Sequence, residues 1–320
     1  MSNHNNNCIE EILSSFKLST YVESVTQMKD SILITLATPK ELIKPLTPLV
    51  EKATNALNAV GQKHQIIFTN TSSKKVAGVQ KIIIVASGKG GVGKSTIAFN
   101  LAVSLAQMGK KVGIVDVDIY GPSLPSLSGI SKKPILENGL MLPHEKFGIK
   151  MMSVGFLVGA EDALIWRGPM TTKMLYQLIR LTNWGKLDYL IIDTPPGTGD
   201  VHLSLAENYQ IDGAIVASSP QGLAVADVKR ALTMLGKLNI ALIGIVENYS
   251  YMLEESGKKN YLFGDASASK KLAKMFKTKI LAQIPINREL DEANSNARPL
   301  TYYKPKSEIS LIFQDIANAL

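Results

Sequence analysis

Lys81-Ile82-Ile83-Ile84-Val85-Ala86-Ser87-Gly88-Lys89-Gly90-Gly91-Val92-Gly93-Lys94-Ser95-Thr96 joins an apolar, β-branched run to a glycine-rich turn and the start of a helical pattern. That succession decides the fold class. A buried strand delivers the chain into a loop whose backbone N–H groups can converge on one point, and the following helix turns its positive end toward the same point. Gly88 to Ser95 has the spacing G-x-x-x-x-G-K-S of a phosphate-binding loop. Lys94 is placed to reach the β- and γ-phosphates of a nucleoside triphosphate and to act in its chemistry, and the Ser95 hydroxyl to ligand Mg²⁺. Gly88, Lys89, Gly90, Gly91, Val92, Gly93 and Thr96 complete the expected nucleotide-binding stretch. Lys89 is a second cation inside the turn, with a side chain long enough to leave its own site, so a charge offered across a subunit interface is expected.

Downstream the rhythm of apolar strand, glycine-bearing loop and helix repeats. Strands are predicted at Lys81–Ala86, Val112–Asp116, Tyr189–Asp193, Ala214–Ala217, Ala241–Glu247 and Ile280–Ile284, and the run Ile97 to Met108, stopped by Gly109, is the first helix. Strands apolar throughout with helices between them imply an α/β fold, a mainly parallel sheet covered by helices on both faces. Ligands of such sheets bind at the carboxyl ends of the strands. Upstream, residues 8 to 69 read as a small α/β unit. Cys8–Phe16 has helical spacing, Ser31–Leu36 and Ile66–Phe68 are strand-like, and Leu42, Ile43, Leu46, Leu49, Val50, Ala53, Leu57 and Val60 lie at steps of three and four. The expected organisation is a small domain over 1–70, a linker over 71–79 and a P-loop domain over 80–320.

Three further strand ends carry chemistry. Asp193 closes an apolar strand and leads into Thr194-Pro195-Pro196-Gly197-Thr198-Gly199-Asp200, so its carboxylate is a candidate Mg²⁺ holder and the turn a candidate sensor of the γ-phosphate. Asp116 and Asp118 alternate along an extended backbone and can face one site. Asp116 is the better placed to support Mg²⁺ and the loop, although the two could exchange roles. Asn248 presents an acceptor and a donor that match the edge of adenine, with a turn-forming role as the alternative.

Composition bounds the rest. The chain has 320 residues, 45% of them hydrophobic and 19% charged, as expected of a globular protein with a sizeable core. Its 35 basic and 27 acidic side chains give a net +8, but the lysines are scattered in pairs without interleaved aromatics, so no nucleic-acid partner is expected. The single cysteine, Cys8, excludes an intramolecular disulfide framework. No secretory signal is legible, the apolar runs are too short to span a bilayer, and a cytoplasmic protein is expected. The C-terminal helix pattern has an apolar face at Ile309, Ile312, Phe313, Ile316 and Leu320 without Lys or Arg, which predicts docking on the protein body rather than on a membrane.

The phosphate loop with its extra Lys89 resembles the deviant Walker A loop of the ATPases related to MinD, ParA and nitrogenase iron protein. Together with Asp116-Val117-Asp118-Ile119-Tyr120-Gly121-Pro122-Ser123, Asp193 to Asp200 and Gly244-Ile245-Val246-Glu247-Asn248, it resembles the Mrp/ApbC family of iron–sulfur cluster carrier ATPases over about residues 80 to 300. The resemblance implies a homodimer that sandwiches Mg-ATP, with Lys89 contacting the nucleotide of the facing subunit and slow hydrolysis by water oriented at Asp118. It further implies that Asn248 reads adenine, that a [4Fe–4S] cluster is bound, and that the partners are apo iron–sulfur proteins or assembly factors. The small N-terminal unit is similar in layout to the iron–sulfur assembly domains of bacterial members.

One departure stands out. Members of that family usually carry Cys-x-x-Cys shortly after Val-Glu-Asn, and here those positions are Glu254 and Gly257. Glutamate and glycine do not reproduce a thiolate site, and the cluster ligands are left unknown. Two other readings remain, a nucleotide-switched scaffold without a cluster and a positioning ATPase of the MinD or ParA kind.

Overall fold

The computed structural model describes residues 2–38, 40–70, 74–137, 139–157, 168–263 and 267–320. Its centre is an eight-stranded sheet of β4 (Val79–Ser87), β5 (Val112–Asp116), β6 (His144–Lys146), β7 (Ile149–Ser153), β8 (Leu187–Asp193), β9 (Gly213–Ser218), β10 (Leu242–Glu247) and β11 (Ile280–Gln283). The spatial order is β11-β10-β9-β4-β8-β5-β7-β6, with every neighbouring pair parallel except the edge pair β6–β7. The six strands read from the sequence are present within two residues at either end. The two at the β6 edge carry no strand signal in the sequence. Ile149-Lys150-Met151-Met152-Ser153 is broken by a lysine, and His144-Glu145-Lys146 has no apolar signal at all.

Alternation along β4 divides the core in two. Ile83 and Val85 face α3 (Lys94–Gln107) and the C-terminal helix Glu308–Ala317, whereas Ile82 and Ile84 face Gly168–Arg180, Asp200–Asn208 and Gly222–Lys237. The first of these helices, α3, is buried along Ile97 to Leu105, as its near-uniform apolarity requires. It ends at Gly109, whose φ of +82° lets its N–H and that of Lys110 close back on the carbonyls of Ala106 and Leu105. The C-terminal helix buries Ile309, Phe313 and Ile316 in the same core, so its apolar face is occupied within the chain.

The N-terminal unit pairs β1 (Val22–Gln27) antiparallel with β2 (Ile32–Thr38), and β2 parallel with β3 (His64–Asn70). Helices α1 (Ser2–Ser15) and α2 (Lys40–Ala59) pack with this sheet. Helix α2 runs through Pro45 and Pro48 because Leu42, Leu46, Leu49, Ala53 and Leu57 are all buried on one face, while Val60 beyond its end is exposed. Strand β1 carries little sequence signal, being polar and mostly exposed. Of the stretch read as a linker, 71–73 lie outside the described residues, and 74–79 are sewn to the larger domain. The Lys74 and Gly78 carbonyls accept from the N–H groups of Gln210 and Leu187, the Lys75 carbonyl accepts from Arg180, and Val76 is buried.

Candidate nucleotide site

Register carries the chemistry to one place. Asp193 at the end of β8 lies opposite Val85 of β4 and Asp116 of β5, and Asp116 lies opposite Ser153 of β7. The phosphate loop leaves β4 beside them. Gly91 and Gly93 have φ of +78° and +77°, the left-handed region in which a side chain costs energy. At Gly93 space is lacking too: a Cβ would stand 2.1 Å from the Asn248 side-chain nitrogen. Gly88 is tight for a different reason, since a Cβ there would meet the backbone of Asp227 on the helix Gly222–Lys237 at 2.2 Å. A Cβ at Gly91 would meet nothing within 4 Å, so there is open space beside that point of the loop.

Lys94 is buried and donates to the Asp193 carboxylate and, at 3.3 Å, to the Ser95 hydroxyl. An ammonium buried at a helix N-terminus beside an open loop is suited to phosphate oxygens. Burial pushes the Asp116 carboxyl up to about 7, with the neighbouring Asp193 charge adding to it, and burial also raises Asp193 against the pull of Lys94. Two buried carboxylates held up in this way, together with the Ser95 hydroxyl, form a hard-oxygen donor set that suits Mg²⁺.

The two aspartates of the β5 loop are separated by their partners. Asp116 accepts from the N–H groups of Asp118 and Leu124 at 3.1 and 3.0 Å and from the Ser153 hydroxyl at 3.2 Å, so it holds the loop's shape. Among the described residues Asp118 accepts only from the Tyr120 N–H, at 3.3 Å, and it lines a 760 Å³ cavity with Thr171, Pro195, Pro196, Gly199 and His202. Asn248 donates to the Val92 carbonyl at 3.0 Å, bracing the phosphate loop from β10. Thr96 accepts from Asn294 at 3.4 Å and so faces the helix Arg288–Ser295. Lys89 is half-buried and donates to Gln221 at 3.1 Å.

One residue was missed. His202 is buried and donates from Nε2 to the Thr194 hydroxyl at 3.0 Å, while that hydroxyl donates to the Val85 carbonyl. Among the described residues Nδ1 then has no hydrogen-bond partner, and burial pushes the imidazole down to about 4. Nothing in the sequence marks it beyond its place on the helix Asp200–Asn208, two residues past the turn that follows Asp193.

Comparison with known proteins places this geometry among relatives. The family model described as ParA, NUBPL iron-transfer P-loop NTPase, matches residues 78–320. An iron–sulfur cluster carrier protein of Aquifex aeolicus is 45% identical over 260 residues, which is 80% of this chain and 70% of the relative. A protein of the same name from Rickettsia conorii is 43% identical over 78% of each chain. The nucleotide-binding protein of Archaeoglobus fulgidus, solved in complex with ADP, is 39% identical with a TM-score of 0.61, covering 69% of this chain and 88% of that one. MinD of Pyrococcus horikoshii with Mg-ADP shares the fold at 24% identity, covering 74% of this chain and 94% of that one, with a TM-score of 0.56. No helix among the described residues is long and apolar enough to cross a membrane.

Proposed function

Because the chain belongs to the iron–sulfur cluster carrier family of P-loop NTPases, we propose that it binds and hydrolyses ATP to drive delivery of iron–sulfur clusters to apoproteins. The observation that carries the ATPase part is the buried Lys94–Asp193 pair beneath an open glycine loop, with Asp118 facing the adjoining cavity. Backbone N–H groups of the loop cradle the phosphates and Lys94 neutralises them. Ser95 and Asp193 would hold Mg²⁺, which would supply charge neutralisation at the phosphates. Asp118 orients the attacking water, and Asp116 keeps the loop that carries Asp118 in shape. Thr194, tied to Val85 and His202, links the turn after Asp193 to the helix Asp200–Asn208, so a change at the phosphates reaches that helix. Lys89 serves the nucleotide of a facing copy in a homodimer.

The cargo does not suit the position its relatives' motif would give it. Glu254 and Gly257 lie in the turn of a hairpin, Gly257 at φ +78°, and neither offers a thiolate. Among the described residues no three of His, Cys, Asp and Glu gather to hold a metal ion, and Cys8 sits on α1 of the N-terminal unit. The chain's part in delivery is therefore the nucleotide-timed grip on a protein that brings the thiolates.

Two measurements test this. Lys94→Ala should abolish ATP binding, whereas Lys89→Ala should spare binding and cut turnover; normal turnover in Lys89→Ala would remove the trans role. Anaerobic reconstitution with iron and sulfide should leave wild type and Cys8→Ser equally without a stable cluster. A cluster in wild type that is lost in Cys8→Ser would mean that the chain holds its own cargo.

A further inference from the structure

The small N-terminal sheet ends in two edges of opposite character. Its order is β1-β2-β3, so each outer strand has one side without a ladder partner among the described residues. Strand β1 is guarded as edges usually are: it is polar, carries Glu23, and its register with β2 slips between Val22 and Ser24. Strand β3 has none of these devices. His64-Gln65-Ile66-Ile67-Phe68-Thr69-Asn70 holds no Lys, Arg, Asp, Glu or Pro, and it pairs with Ile32 to Thr38 residue for residue without a bulge.

The phase of that ladder decides which backbone groups are free. The Ile32 N–H donates to the Lys63 carbonyl at 3.0 Å, and Ile32 lies opposite His64. In a parallel ladder the residues on either side of His64 therefore turn their N–H and C=O groups toward β2, and the alternation continues along the strand. Gln65, Ile67 and Thr69 bond toward β2, while the backbone groups of His64, Ile66 and Phe68 face outward. Among the described residues no other backbone group bonds to that outward set. The side chains mark the same edge. Ile66 and Phe68 pack on the core formed with α1 and α2, but they are only half-buried where Ile34 and Leu36 of β2 are 0% exposed. Outward amides repeating every second residue are matched by another extended backbone.

We propose that β3 is a docking edge at which a partner protein adds an extended segment, antiparallel to β3, as a fourth strand of this sheet. The antiparallel sense is the more stable per residue. Three features set the chemistry of the segment. Its residues opposite Phe68, Ile66 and His64 are apolar, because they lie over the half-covered core face. Its middle is uncharged, because β3 offers no charge to meet one. Its residue opposite Lys63 is acidic, because Lys63 stands exposed just before the strand and forms no ion pair among the described residues. The N-terminal unit thereby has a task separate from the nucleotide chemistry.

The test uses full-length deuterated protein and the fluorescein-labelled peptide Thr-Val-Thr-Ile-Thr-Val-Asp, whose valines, isoleucine and aspartate match those positions. Binding is read by fluorescence anisotropy and by amide hydrogen exchange in NMR spectra. In the free protein the Ile66 and Phe68 amides should exchange far faster than those of Ile67 and Thr69. Saturating peptide should slow Ile66 and Phe68 at least about tenfold and leave Ile67 and Thr69 unchanged, an alternation that binding elsewhere does not produce. N-methylation of the peptide's isoleucine removes its donor to the Ile66 carbonyl and should weaken binding roughly tenfold. Lys63→Glu should weaken it roughly two- to fivefold, and a peptide ending in lysine should regain that loss. Neither change touches the core, so folding is not at stake. A peptide that fails to bind, binds without the alternation, or is indifferent to the methyl group or to Lys63→Glu would overturn the docking edge. Slow Ile66 and Phe68 exchange in the free protein would overturn it too, in favour of a second copy of this chain on the same edge if that exchange quickens on dilution, and of an edge already covered if it does not.

Discussion

Replacing Gly93 with alanine tests whether the phosphate loop is held in shape by Asn248. The substitution meets two costs. At φ +77° an alanine is in the left-handed region, which costs roughly 1–2 kcal/mol. The new methyl would also lie 2.1 Å from the Asn248 nitrogen, so that side chain must move. Moving it breaks the 3.0 Å bond to the Val92 carbonyl in a place where Asn248 is only 2% exposed, stranding a buried donor and acceptor at a further cost of about 1–3 kcal/mol. Gly93→Ala should thus destabilise the P-loop domain by about 2–5 kcal/mol, a fall of roughly 5–15 °C in its melting transition. Binding of a fluorescent ATP analogue should fall with it. The decisive assay is a double-mutant cycle with Asn248→Ala followed by circular-dichroism melting. In the Asn248→Ala background the steric cost is gone, and Gly93→Ala should cost only its backbone term, so the two substitutions couple by about 1–3 kcal/mol. Strict additivity, or a Gly93→Ala protein as stable as wild type, would refute the brace and leave Asn248 free for another partner.

The two aspartates of the β5 loop should part company. Asp118→Asn should lower turnover about a hundredfold with nucleotide affinity little changed, since it touches the loop only through Tyr120. Asp116→Ala should instead lower stability by about 2–4 kcal/mol, because two N–H groups and the Ser153 hydroxyl lose their acceptor in the core. Paired turnover and denaturation curves separate the cases. His202 should make stability depend on pH. Its folded pKa of about 4 lies below the ordinary 6.5, so the unfolded chain binds the extra proton, and stability present above pH 6.5 should decline by about 3 kcal/mol toward pH 4. His202→Gln should flatten that part of the profile, and an unchanged slope would mean that the imidazole is not held neutral.

Much of this site was legible because it sits on regular strands. The run Ile82 to Ala86 and the aspartate ending Tyr189–Asp193 are strong signals, and parallel register converts them into neighbours without further information. What stayed hidden depended on contacts across the sheet. Asp116 and Asp118 are indistinguishable as letters two apart, and only Leu124 and Ser153 folding back on Asp116 tell them apart. Asn248 offered donor and acceptor atoms toward adenine, but which group its nitrogen meets depended on how closely β10 approaches Gly93. His202 gave no pattern, since its environment is made by Thr194 and Val85. Strands β1 and β6 lacked an apolar period for the opposite reason: each lies at a sheet edge and buries too little to demand one.

The strap over residues 74–79 runs without a break into β4, and β4 ends in the phosphate loop. A tug at Lys74 therefore has a line of pull along the backbone to Ser87, in a strand clamped on both sides by β8 and β9. Whatever grips the strap holds one end of a drawstring whose other end is the mouth of the nucleotide site.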